Sequence, residues 1–266
     1  METAAPDPGR QGQEGSGAAP FALEVATLSE TGPVRAQNED RCGHHQEDAT
    51  TVLVVVADGV SSYPAGDVAS QMAVDVTLRS FREQDPSKRL DVRLGRAVQQ
   101  ANIDIHDLAL TVPELRGMAT TVTAVAVARG TMAAAHVGDS RLYLVRRGRA
   151  LQLTKDHTAG PSVLSRSVGR DLIVAIDRLT RPLERDDVLV ICTDGLHNVL
   201  QDSDFAALAS ASEPERSCRA LIDTALARKT TDNVTAAVLR MVGPTPGAPP
   251  AGGVGAKLRR LIGRSG

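Results

Sequence analysis

The chain has 266 residues, 42% of them hydrophobic, with 30 Lys and Arg against 32 Asp and Glu and a formal net charge of −2. That length suits one large domain or two small ones and can bury a sizeable core. The balanced charge excludes the basic footprint of a nucleic-acid-binding protein, and 2% aromatics with no Trp supply no stacking platform for bases.

Residues 1–20 are Gly, Pro, Ala and polar residues without a basic or apolar leader segment, and they predict a disordered tail. The chain then alternates apolar runs with acidic punctuation. Strands are predicted over 22–28, 51–57, 120–128, 131–137, 141–146, 188–193 and 234–241. Three helices are predicted. One starts at Asp67 as N-cap, with Val68, Met72 and Val76 on one face. A second carries Leu90, Leu94, Ala97, Val98, Ala101, Ile105 and Leu108 as an apolar stripe. The third covers about 214–227. Between His157 and Leu183, residues Val163, Leu164 and Val168 predict one short helix. Consecutive strands separated only by turns indicate an antiparallel meander rather than the alternation of a parallel sheet. The expected class is α+β, with helices packed on the outer faces of sheets. Residues 243–256 read as a Pro/Gly/Ala linker and the basic KLRRLIGRSG end as a solvated tail, leaving 21–242 as the globular body.

The three cysteines, Cys42, Cys192 and Cys218, show neither zinc spacing nor a disulfide framework, which favours a reducing, cytoplasmic setting. No apolar run reaches membrane-spanning length, so no stable membrane insertion is expected.

Two apolar strands stop at the same pair, Asp58-Gly59 and Asp194-Gly195. Asp-Gly alone is an ordinary turn signal. Glu39-Asp40, Asp139 and Asp232, however, also fall at strand ends or in the loops between them. If these ends converge, the carboxylates raise one another's pKa or require a cation. An oxygen-only donor set suits Mg²⁺ or Mn²⁺ rather than zinc. A pair of such ions about 3.5–4 Å apart can activate a water. Arg35, four residues before Glu39, could either grip a phosphate with its planar fork or pair with Glu39 or Asp40. His136, in phase with a buried strand, reads as a core histidine, and His157 as structural.

The ordered set GPVRAQNED, VVVADGV followed by GDVAS, HVGDSRLYLVRRG, LTKDHT, DDVLVICTDGL and TDNVT resembles the PPM family, the metal-dependent type 2C serine/threonine protein phosphatases, over roughly 24–240. The resemblance implies a four-layer α-β-β-α sandwich of two antiparallel sheets flanked by helices. It implies hydrolysis of phosphoserine or phosphothreonine on a phosphorylated protein substrate by a water bridging two Mn²⁺ or Mg²⁺ ions, without a covalent enzyme intermediate, in a monomer. By the same resemblance Asp58 bridges the two metals, the Gly59 carbonyl serves one, and Asp194 and Asp232 hold the other. Glu39 ligates a metal or holds a metal-bound water, with Asp40 supporting it. Asp139 joins Asp194 at a third, weaker ion. Arg35 binds the substrate phosphate, and Asn233 fixes the loop presenting Asp232. The chain departs from many relatives after Asp-Gly, where Val60-Ser61-Ser62-Tyr63-Pro64 replaces a His or Gly-rich run, at Ala119-Thr120-Thr121, where Gly usually leads, and in a shortened flap before Leu183. A regulatory pseudo-phosphatase that binds phosphoprotein without turnover is the alternative; it would be marked by a lost metal carboxylate, and none is lost.

Overall fold

The computed structural model describes residues 22–60, 65–160, 163–210 and 213–243. The expected tail at 1–20, and all but Gly243 of the tail expected at 243–266, lie outside them. In chain order the strands are β1 (Ala22–Glu30), β2 (Asp40–Asp48), β3 (Thr51–Asp58), β4 (Val122–Ala128), β5 (Thr131–Val137), β6 (Arg141–Arg146), β7 (Arg149–Gln152), β8 (Thr158–Gly160), β9 (Val163–Leu164), β10 (Asp177–Pro182), β11 (Val188–Cys192) and β12 (Val234–Val242). Helices α1 (Gly66–Glu83) and α2 (Leu90–Thr111) follow β3, α3 (Asp194–His197), α4 (Asp202–Ser210) and α5 (Pro214–Ala227) follow β11, and a 3-10 turn spans Pro113–Leu115.

Two five-stranded sheets result, in the orders β1-β12-β11-β6-β7 and β10-β5-β4-β3-β2. Every pairing within them is antiparallel. The pleat explains the unbroken apolar runs. Along β3, Leu53, Val55 and Ala57 pack with the residues of α1 and α2, while Val52, Val54 and Val56 point between the sheets. Along β11, Val188, Val190 and Cys192 face α4 and α5, while Leu189 and Ile191 join the inter-sheet core. A strand covered on both faces cannot alternate apolar with polar. The aromatic-poor composition appears as alanines: Ala124, Ala126, Ala133 and Ala135 form the floor under α1 and α2. Tyr143 and Phe205 stack at 4.4 Å behind the other sheet.

The layers are therefore helix, sheet, sheet, helix, as expected. Two local expectations are corrected. Helix α1 begins at Gly66 behind Ala65, whose φ is +57°, and no side chain caps it. Asp67 sits in the first turn, where its charge still favours the helix dipole. In place of the short helix expected from Val163, Leu164 and Val168, Val163 and Leu164 form β9, paired antiparallel with β8. Val168 forms a bridge to Thr120, which draws the backbone out of helical shape.

Candidate active site

The sheets place their acidic strand ends at one end of the sandwich. Asp40 at the start of β2 and Asp58 at the end of β3 are direct cross-strand partners. Like charges so placed repel. Asp58 is pinned through its backbone: its N–H donates to Thr121 Oγ1 at 3.0 Å, and its carbonyl accepts from Thr120 Oγ1 at 2.8 Å and from the Thr121 N–H at 2.8 Å. The Ala119-Thr120-Thr121 element is thus a clamp on Asp58. Among the described residues no protein donor meets the Asp58 carboxylate.

The two Asp-Gly glycines share one reason. Neither has positive φ, so neither serves a left-handed turn. A Cβ on Gly59 would strike the carbonyl of Gly66 and press on that of Glu39, and a Cβ on Gly195 would strike the carbonyl of Asn233. Each glycine lets a second acid-bearing loop pass against the strand end. The Gly59 N–H donates to the Glu39 carbonyl at 3.1 Å. Asn233 then ties the loops together. Its Oδ1 accepts from the Glu39 N–H at 2.8 Å, and its Nδ2 donates to the carbonyls of Thr31 at 2.8 Å and Gln37 at 3.0 Å.

Asp40 is buried, and one of its oxygens accepts from Thr193 Oγ1 at 2.8 Å and Thr235 Oγ1 at 2.7 Å. Burial pushes its carboxyl up to about 7, against the pull of those two hydroxyls. Burial and the charges of Asp40, Asp194, Asp139 and Asp232 hold Asp58 well above the usual carboxylate range. Burial, then Asp232 and Asp139, lift Asp194 to about 6. Asp139 is also raised, by burial and then by Asp156. These sites span residues 40 to 232, so the fold has gathered the expected acids into one field.

Arg35 stands at the rim. Its Nη2 donates to Asp232 at 2.7 Å, not to Glu39 or Asp40, the partners its sequence neighbourhood offered. Burial works against its charge, but the bond to Asp232 prevails and raises its pKa.

His136 hydrogen-bonds Thr123 Oγ1 at 2.9 Å within the core. The Gly138 N–H donates to His157 Nδ1 at 3.1 Å, so His157 steadies the turn before Asp139. Asp156 is gripped by Arg141, with Nη2 at 2.7 Å. Sequence reasoning missed three supporting residues, Thr193, Thr235 and His197. The first two immediately precede Asp194 and follow Val234, and that adjacency to the acidic motifs was the available signal. His197 Nε2 lies 3.0 Å from the Asp139 carbonyl. Burial, followed by Arg141, depresses its pKa to about 4, so it is neutral near pH 7. Residues 61–64 of the departure after Asp-Gly lie outside the described residues.

The donor chemistry fits divalent cations. The cluster is all oxygen, and Arg35 is the cation that hydrogen-bonds one of its carboxylates. Among the described residues no three His, Cys, Asp or Glu side chains already converge on one ion position.

A helix-flanked double sheet with a carboxylate field and an arginine at one end defines the class of protein. The sequence profile of the protein phosphatase 2C family matches residues 34–230. The chain is 30% identical over 199 residues to the serine/threonine phosphatase stp of Listeria welshimeri, covering 66% of this chain and 79% of that protein. It is 32% identical over 238 residues to the serine/threonine protein phosphatase PstP of Mycobacterium tuberculosis, covering 83% of this chain and 45% of that one. The crystal structure of the M. tuberculosis phosphatase PstP/Ppp superposes with a TM-score of 0.75 at 30% identity, over 84% of this chain and all of that one. The catalytic domain of PstP in complex with two manganese ions superposes with a TM-score of 0.74 at 31% identity, over 84% of this chain and 99% of that one. The chain belongs to the protein phosphatase 2C family.

Proposed function

We infer that this chain is a metal-dependent serine/threonine protein phosphatase, which frees phosphate from phosphoserine and phosphothreonine of protein substrates by direct attack of water. The observation that carries this reading is the field of strand-end carboxylates around Asp58, whose own carboxylate meets no protein donor among the described residues, bordered by Arg35. Asp58 and the Gly59 carbonyl, with Asp194 and Asp232, are the groups that would hold two Mn²⁺ or Mg²⁺ ions, and Glu39 would reach them directly or through a water. Bound there, the ions would lower the pKa of water and screen the phosphoryl charge.

The other roles belong to the chain. Thr120 and Thr121 fix Asp58 from behind. Asp40, held by Thr193 and Thr235, supplies buried negative charge that favours cations in front of it. Only one nitrogen of Arg35 is spent on Asp232, so its fork can grip two phosphoryl oxygens and align the ester for in-line attack. His197 is neutral near pH 7 and its Nε2 is engaged with the Asp139 carbonyl, so the leaving group would take its proton from water or from another group. Asp139 with Asp194 would hold a third, weaker ion; the charge of Asp139 is among those that raise the pKa of Asp194. The three cysteines, free in the structure, suit a reducing cytoplasm.

The test is phosphate release from a phosphothreonine peptide with Mn²⁺, with chelator, and with the Asp58→Asn and Asp194→Asn variants. Metal-dependent release abolished in both folded variants is expected. No release from folded wild type under any metal would leave a phosphoprotein-binding pseudo-enzyme.

A further inference from the structure

Far from the carboxylate field, the end of α1, the start of α2 and the β2–β3 hairpin enclose a cavity of about 260 Å³. Its lining includes His45, Glu47, Val52, Phe81, Arg82 and Arg93. Thr51 also lines it, at the opposite end of β3 from Asp58. Seven strand steps of about 3.3 Å put the two sites roughly 23 Å apart.

Arg93 is the unusual member. It is 7% exposed. Its guanidinium lies 4.1 Å over the Phe81 ring, and Nη2 donates to the Phe81 carbonyl at 3.1 Å. Its Nε–H is buried and has no partner. No carboxylate hydrogen-bonds or contacts it among the described residues, and a buried cation without an anion in contact is costly. Asp91 accepts from Arg89 Nε and Nη2, each at 3.0 Å; Asp85 accepts from the Ser87 N–H at 2.9 Å and feels the charge of Arg93 only from a distance, as the least of the causes that lower its pKa. Arg93 also sits in the first turn of the 22-residue α2, whose dipole adds positive potential there.

We propose that this cavity binds a small monocarboxylate with an apolar body, its carboxylate held by Arg93. Arg82 and Arg93 against Glu47 leave one net positive charge, which matches a monoanion better than a phosphate dianion. Phe81 and Val52 supply the apolar wall. The volume lies just under the roughly 300 Å³ at which drug-sized sites begin, which suits a single-ring acid. The proposal does not rest on the phosphatase reading. Glu47, exposed at the rim, is the acidic residue of the lining and would repel an incoming anion.

The test uses the full chain and fluorobenzoate, observed by fluorine NMR. Saturable binding with a Kd in the millimolar range, on the order of 1 mM, is expected. It should be unchanged in Asp58→Asn and lost in Arg93→Gln with near-UV circular dichroism intact. Removing the repelling charge with Glu47→Gln should tighten binding a few-fold; this arm decides the matter if Arg93→Gln fails to fold. Absence of saturable binding in both wild type and Glu47→Gln overturns the proposal. So does binding that survives in folded Arg93→Gln, that disappears in Asp58→Asn, or that ignores Glu47→Gln.

Discussion

Two buried aspartates at opposite ends of the sandwich meet opposite fates. Asp187, 1% exposed, is answered in full. Arg146 Nε reaches one of its oxygens at 2.7 Å and Nη2 the other at 2.6 Å, and the Glu184 N–H adds a third bond at 2.7 Å. Asp40, 2% exposed, is answered by two neutral hydroxyls and stands across from Asp58, whose carboxylate meets no donor among the described residues. Where a carboxylate serves the fold, the fold supplies its cation. Where the cation is left out, the negative charge is kept available for something that arrives later.

The largest effect should come from removing charge at the unanswered end. Asp58→Asn should lower kcat by about 10³-fold or more, since a metal-assisted step loses several kcal/mol of charge stabilisation. The same variant should be no less stable than wild type in chelator, because it relieves the repulsion with Asp40. Measuring kcat and Tm on one preparation checks both. A variant that loses stability as well would mean Asp58 holds the fold.

At the answered end the signs reverse. Arg146→Met leaves Asp187 buried without its partner and should cost about 3 kcal/mol, with kcat of the folded protein unchanged. Urea denaturation and a phosphopeptide assay read the two quantities. A smaller effect is expected for Arg35→Lys, which keeps the charge but loses the fork. Losing a charge-assisted bond worth about 1.5–3 kcal/mol should lower kcat/KM roughly tenfold to a hundredfold. An unchanged kcat/KM would remove Arg35 from phosphate binding.

The same contrast explains what the sequence made legible. β3 and β11 were plain because burial on both faces forces continuous apolar runs, and their terminal acids stood out against them. β2, DRCGHHQED, was not read as a strand. It lies at a sheet edge with much of its surface exposed, so its composition is polar and carries no period. The short α4 was missed because nine residues give too little periodicity. The acids of the site could be collected one by one from strand ends. The ties among them could not: Arg35 meets Asp232 across 197 positions, and Asp40 meets Thr193 and Thr235 across 153 and 195. Only the register of β2 against β3, and the order of strands in the opposing sheet, bring those partners together.

The smallest predicted effect follows from titration. Burial lifts Asp40 to about 7 and Asp194 to about 6, against about 3.9 in an unfolded chain. Between those values the native state holds more protons than the unfolded state. Stability therefore falls as pH rises through that window, the favourable contribution being complete below about pH 4 and gone above about pH 7. Divalent cations bind the ionised carboxylates, so their stabilisation grows over the same range. The gap in Tm between the Mn²⁺-loaded and chelator-treated protein should widen from pH 5 to pH 7.5 by a few degrees, at about 2–4 °C per kcal/mol for a domain of this size. Arg146→Met should leave that widening intact, because Asp187 lies outside the field. Asp194→Asn should shrink it. A gap that stays constant with pH would mean that the carboxylates of the field are already ionised in the free protein.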